Sequence, residues 1–231
     1  MTSIINRWAL PLVFLLLLYF AWPISESSSP DQLQIGKEST IVFFGNSLIE
    51  GKGAQPTESV PAIVQKSLSI PVINSGFSGI TSAEALSKID QAVLKHHPVI
   101  VVIELGANDY LQNRENFQID SLKKNLSQLI ERIEGENRLL YLTKFYNDQV
   151  ASSILGEGEE HSQMDQLFLE LQQRYSLRLI EDIWSGIWGD STLMSDALHP
   201  NGKGYQLMAD HYLQALMPVL QKNNLLKPAE G

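Results

Sequence analysis

Cysteine is absent from all 231 residues. Disulfides, thiolate metal sites, a cysteine nucleophile and a lipidated N-terminal cysteine are thereby excluded. The lack of cysteine does not fix a redox compartment. Positive charge is scarce: 17 Lys and Arg stand against 26 Asp and Glu, for a net charge of −9. No basic patch interrupts that balance, which argues against a nucleic-acid partner. There is no internal repeat and no sign of a second domain. What is present, 44% hydrophobic and 19% charged residues, fits one globular α/β domain plus a targeting segment.

The targeting segment lies first. Trp8 to Ile24 is uncharged and almost wholly apolar, with Arg7 before it and a polar, acidic stretch from Ser25 to Asp31 after it. It reads as a cleaved signal peptide or as an uncleaved membrane anchor within residues 1–25. Either way the charge asymmetry places the domain outside the cytoplasm, periplasmic or secreted. Residues 26–37 read as a linker, 38–222 as the domain and 223–231 as a C-terminal tail.

The domain is organised around Thr40 to Gly53. Ile41 to Phe44 is a short apolar, β-branched run that ends in Gly45-Asn46-Ser47-Leu48. This predicts a buried strand feeding a turn. Further strands are expected over Ile70–Asn74, Pro98–Leu105, Arg138–Thr143 and Leu177–Ile180. Helices are expected over Thr57–Leu68, Thr81–Lys95, Phe117–Ile133, Gln163–Tyr175 and Asn201–Leu220. Residues 144–160 read as a loop, and Glu181–Leu198 as irregular. Strands alternating with helices imply right-handed crossovers and a parallel sheet covered on both faces. The order 2-1-3-4-5 brings the ends of strands one, two and three together, and ligands bind at such an edge. Ser47, Gly79 and Asn108 would lie there.

Ser47 then has two readings, a helix N-cap or a nucleophile. A hydroxyl nucleophile needs a base and a group that orients the base. His199 is the best base, because Asp196 precedes it by three residues and faces the same way in a turn; taken alone it reads equally as a surface histidine at a helix N-terminus. His96 and His97 precede strand three at the wrong end of the sheet. His161 lies in an acidic run, and His211 lies within the last helix. Acyl transfer also needs donors aimed at a developing oxyanion. The backbone N–H groups of Ser47 and Gly79 and the side-chain amide of Asn108 qualify, although Gly79 and Asn108 are equally ordinary turn residues. Trp184, Ile187 and Trp188 either wall an acyl pocket or pack the last helix.

Four blocks of the sequence resemble those of the SGNH (GDSL-type) hydrolases. Gly45-Asn46-Ser47-Leu48 resembles the GDSL block, and Gly79 after Asn74-Ser75-Gly76-Phe77-Ser78 the glycine block. Gly106-Ala107-Asn108-Asp109 resembles the G-x-N-D block, and Asp196-x-x-His199 the D-x-x-H block. The likeness spans Ile41 to Leu220 and is greatest to exported bacterial thioesterase, lysophospholipase and arylesterase types. It implies a three-layer α/β/α flavodoxin-like fold. It implies Ser47, Asp196 and His199 as a triad, and Ser47, Gly79 and Asn108 as the oxyanion hole. It implies hydrolysis of acyl esters, small or lipid, without a metal or other cofactor. Carbohydrate O-acetyl esters are the alternative substrate, and a tethered module without turnover is the alternative class. Two positions depart from the family pattern: Asn46 replaces the usual aspartate, and Ile80 stands where a polar residue is common.

Overall fold

In a computed structural model, residues 31–135, 137–155 and 159–228 are described. Trp8 to Ile24 lies outside them. Among the described residues, no helix is long and apolar enough to cross a membrane.

Five strands form one parallel sheet: β1 (Thr40–Gly45), β2 (Val72–Gly76), β3 (Pro98–Glu104), β4 (Leu139–Thr143) and β5 (Arg178–Ile180), in the order β2-β1-β3-β4-β5. Every residue of β1, β3 and β4 is buried. Such continuous apolar runs suit central parallel strands, whose two faces are both covered. The register sets Gly45 opposite both Gly76 and Glu104. The loops that leave β1, β2 and β3 therefore begin at one height along one edge.

The helices are α1 (Ser47–Glu50), α2 (Val60–Ser67), α3 (Ser82–Leu86), α4 (Ile89–Ala92), α5 (Ala107–Leu111), α6 (Ile119–Ile133), α7 (Asp148–Ile154), α8 (Glu159–Tyr175) and α9 (Gly202–Lys222). Helix α2 packs on α9, while α6 packs against α3 and α8. The apolar stripe of α6 (Leu122, Leu126, Leu129, Ile130 and Ile133) is buried as its spacing predicts.

Local structure departs from expectation in three places. The helix expected over Thr81–Lys95 is broken: α3 ends at Leu86, α4 restarts at Ile89, and a 3₁₀ turn follows at Leu94–His96. The stretch 144–160 is not all loop. It holds α7, whose N-cap Asn147 accepts from the Val150 N–H at 3.0 Å, and the first turn of α8. Segments at both ends of the domain join its body. Leu33 is buried and donates its N–H to Asn223 Oδ1 at 2.8 Å. Leu225 is also buried, and its carbonyl accepts from Ser69 N–H at 2.9 Å.

Candidate active site

Ser47 is the first residue of α1, directly after β1. Its neighbour Asn46 takes the cap: the Asn46 side-chain oxygen accepts from Leu48 N–H at 2.8 Å. The capping role is thus filled, and the Ser47 hydroxyl is directed elsewhere. His199 Nε2 lies 3.0 Å from Ser47 Oγ, although 152 residues separate the two along the chain. On its other side His199 Nδ1 lies 2.8 Å from Asp196 Oδ2 and 2.9 Å from Oδ1.

Asp196 belongs to a bend rather than a helix. Its Oδ1 accepts the N–H groups of Leu198 and His199, both at 2.8 Å. Partial burial pushes its acidity the other way, but those amides and the imidazole outweigh it and hold the carboxyl down to about 2. An ionised carboxylate can only accept. Nδ1 therefore carries the ring proton, and Nε2 presents its lone pair to the Ser47 hydroxyl.

This bend is closed on itself and lies close against the turn that follows α1. Ser195 N–H donates to His199 O at 2.8 Å, and Tyr205 of α9 donates its hydroxyl to Lys52 O at 2.8 Å. Gly53 sits at φ +97°, where a Cβ would fall 2.1 Å from Ser195 Oγ and 2.6 Å from Pro200 O. Only glycine allows so close an approach in that conformation.

Ser47, Gly79 and Asn108 line one cavity. Ser47 N–H is one of the amides that a helix start leaves without an intrahelical acceptor. Gly79 lies at φ +80°, with its carbonyl accepting from Gln112 Nε2 at 2.6 Å. Asn108, in α5, donates one side-chain N–H to Ile80 O at 3.0 Å, leaving the second for the cavity that it lines with Ser47, Gly79 and His199. Asp109 braces this edge by accepting Ser82 N–H at 2.9 Å. The Ile80 side chain is buried; its carbonyl, rather than its side chain, serves the site.

The cavity measures about 200 Å³. Its far wall is apolar: Leu111, Phe145, Val150, Ile154, Trp184 and Trp188. Trp184 and Trp188 meet edge to face with ring centroids 5.0 Å apart. Trp184 Nε1 donates to Phe145 O at 2.9 Å, and Trp188 Nε1 to Ser153 Oγ at 3.2 Å. Both tryptophans thus wall the cavity, while Ile187 is fully buried in the core. Val150 and Ile154 come from α7 and were invisible in the sequence; the Asn147-Asp148 start was the one local signal. The remaining histidines stand apart from the cavity. His96 and His97 precede β3, His161 packs on the Tyr146 ring, and His211 Nδ1 lies 3.2 Å from Ile183 O.

A five-stranded parallel sheet covered on both faces, with serine, imidazole and carboxylate in line at its carboxyl edge, is the three-layer architecture of the SGNH (GDSL) hydrolase structures. The chain belongs to the GDSL-like lipase/acylhydrolase family, whose model matches residues 43–207. It is a GDSL-type esterase or lipase. It is 22% identical to thioesterase 1/protease 1/lysophospholipase L1 of Escherichia coli (strain K12) over 221 residues, covering 94% of this chain and 96% of that one. It is 26% identical to an arylesterase of Vibrio mimicus over 187 residues, covering 78% of this chain and 89% of the other. Among solved structures it resembles the psychrotrophic esterase EstA from Pseudoalteromonas sp., inhibited by monoethylphosphonate. That match has a TM-score of 0.68 and 28% identity, and covers 79% of this chain and 98% of EstA.

Proposed function

We propose that the protein hydrolyses carboxylic esters of short to medium acyl chains through a covalent Ser47 acyl-enzyme. The observation that carries this reading is the in-line contact of Ser47 Oγ, His199 and Asp196. Ser47 Oγ attacks the acyl carbonyl carbon while His199 Nε2 takes its proton. The carbonyl oxygen becomes an oxyanion facing the N–H groups of Ser47 and Gly79 and the Asn108 amide. Collapse expels the alcohol or thiol, which takes the proton back from His199. A water then gives its proton to His199 and attacks the acyl-Ser47 bond, releasing the carboxylic acid and restoring the serine. Asp196 holds the ring tautomer and stabilises the imidazolium.

The substrate reading rests on the tryptophan-walled cavity. About 200 Å³ lies below the usual span of drug-sized pockets, so it suits a short or medium acyl tail better than a long one. The names of the relatives, thioesterase, lysophospholipase and arylesterase, support acyl rather than acetyl-sugar esters. Residues 8–24 export the domain, as anchor or cleaved leader, which brings it to acyl esters outside the cytoplasm.

A series of p-nitrophenyl esters from acetate to palmitate tests both parts. Turnover is expected to peak between butyrate and octanoate. A peak at acetate would favour the carbohydrate O-acetylesterase. A fluorophosphonate should add once, at Ser47, and Ser47→Ala should lose roughly 10³–10⁶ in kcat. Ester turnover undiminished in Ser47→Ala would remove the nucleophile, and no turnover on any ester would favour the tethered binding module.

A further inference from the structure

Glu104 is the one acidic residue of β3, and it is fully buried at the strand's carboxyl end. It takes no part in the chemistry above. Its Oε1 accepts from Asn46 Nδ2 at 3.1 Å. Its Oε2 is buried and has no hydrogen-bond partner. Asn46 is thus held at both ends. Its oxygen caps α1 at Leu48 N–H, and its nitrogen is anchored to Glu104. Ser47 lies between the two bonded positions. A side-chain amide held this way cannot rotate without breaking one of the bonds, so Glu104 fixes where α1 begins.

We propose that Glu104 is a positioning residue for Ser47, acting through the cap residue Asn46, and that its carboxyl does so uncharged. The first part rests on the reading of Ser47 as nucleophile. The second rests on the orphaned oxygen: a carboxylate there would be closed off from solvent, with one oxygen unpaired and only the Asn46 amides facing the group. Burial pushes the acid up to about 7 even though Asn46 donates to it. The titratable neighbours that feel its charge are Tyr205 and Tyr212 of α9. Both hydroxyls are pushed up first by burial and next by Glu104, so neither supplies a compensating cation. Asp196 and Glu50 bear on Tyr205 in the same direction.

Asn46 makes the proposal testable, because the polarity of its bond can be reversed. An aspartate at 46 could still cap α1, but it would need a donor at 104. A protonated Glu104 or a glutamine supplies one; an ionised Glu104 does not. Glu104→Gln should keep at least a third of wild-type kcat/KM, since it retains an uncharged acceptor. Glu104→Leu removes the acceptor. It should lower kcat, and the rate of fluorophosphonate labelling at Ser47, by about 10–100-fold, with KM within about twofold. Asn46→Asp should be active in acid and lose activity as the pH rises and the shared proton is lost. The double variant Asn46→Asp/Glu104→Gln should abolish that alkaline loss.

Three results would each overturn the proposal. One is a folded Glu104→Leu with wild-type kcat and labelling rate. A second is a collapse of activity in Glu104→Gln. The third is the same pH profile for the Asn46→Asp single and double variants. Should Glu104→Leu fail to fold, the two Asn46→Asp variants decide alone. Ser47→Ala is the separate control: if it still turns over esters, the nucleophile is wrong whatever Glu104 does.

Discussion

Two carboxyl groups lie near Ser47 and are driven in opposite directions by their surroundings. Asp196 is half exposed and bonded to two amides and the imidazole, and it is held down to about 2. Its contribution to stability is present above its ordinary value of 3.8 and lost as the pH falls towards 2. Solvent screens so exposed a group, so that contribution is small. A loss of kcat in mild acid therefore belongs to another group than Asp196. Glu104 has the reverse sign. Its acidity moves from 4.5 to about 7 on folding, so the folded protein binds a proton that the unfolded chain has released. Stability is then fullest below pH 4.5 and declines as the pH rises to about 7, by an amount on the order of 1–3 kcal/mol. Urea midpoints of wild type and Glu104→Gln between pH 4 and 8 measure this. Wild type should lose ground across the interval, and the glutamine variant should stay level. Parallel curves would show that Glu104 does not change its protonation on folding.

At the scale of elements, the site is a meeting of loops held at one height by strand register, and one of its tightest joints is the close approach at Gly53. Gly53→Ala forces a Cβ onto Ser195 Oγ and Pro200 O at a positive φ. The bend that carries Asp196 and His199 must retreat. Catalytic geometry is lost with displacements near 1 Å, so kcat should fall about 10²-fold, with a lower urea midpoint. Unchanged kcat would show that the bend tolerates the displacement. The same scale explains what was legible in the sequence. β1 and β3 declare themselves because each is a run of apolar residues, polar only at Thr40 at the start of β1 and Glu104 at the end of β3, and the blocks after them fall at the sheet edge by topology alone. Helices α1, α5 and α7 span seven residues or fewer. That is about two turns at most, too few for a period of 3.6 to show. The break between α3 and α4 has no glycine or proline to mark it. Glu104 stands out in sequence as the polar exception in an apolar strand. Its partner Asn46 lies 58 residues away, and no local pattern joins them. The tryptophans were legible as candidates, but not the α7 residues opposite them, which come from a stretch that reads as loop.

Over the whole molecule, the polypeptide is tied at both ends of the domain. Leu33 and Leu225 are buried, and Leu33 N–H bonds to Asn223. A chain that begins at Asp31 keeps this clasp, whereas one that begins at Lys37 loses it. Burying one leucine side chain is worth about 1.5–3 kcal/mol, and each kcal/mol moves the melting point of a domain this size by about 2–4 °C. The shorter chain should therefore melt several degrees lower with kcat unchanged, as differential scanning calorimetry and an ester assay would show; equal melting points would mean that the clasp adds no stability. The 152-residue separation of Ser47 from His199 has a further consequence. Imidazole and hydroxyl meet only where the bend before α9 returns to the turn after β1. With Ser47 as nucleophile, a polypeptide whose C-terminal third has yet to fold leaves the hydroxyl without its base, and ester cleavage is expected to begin only where folding ends.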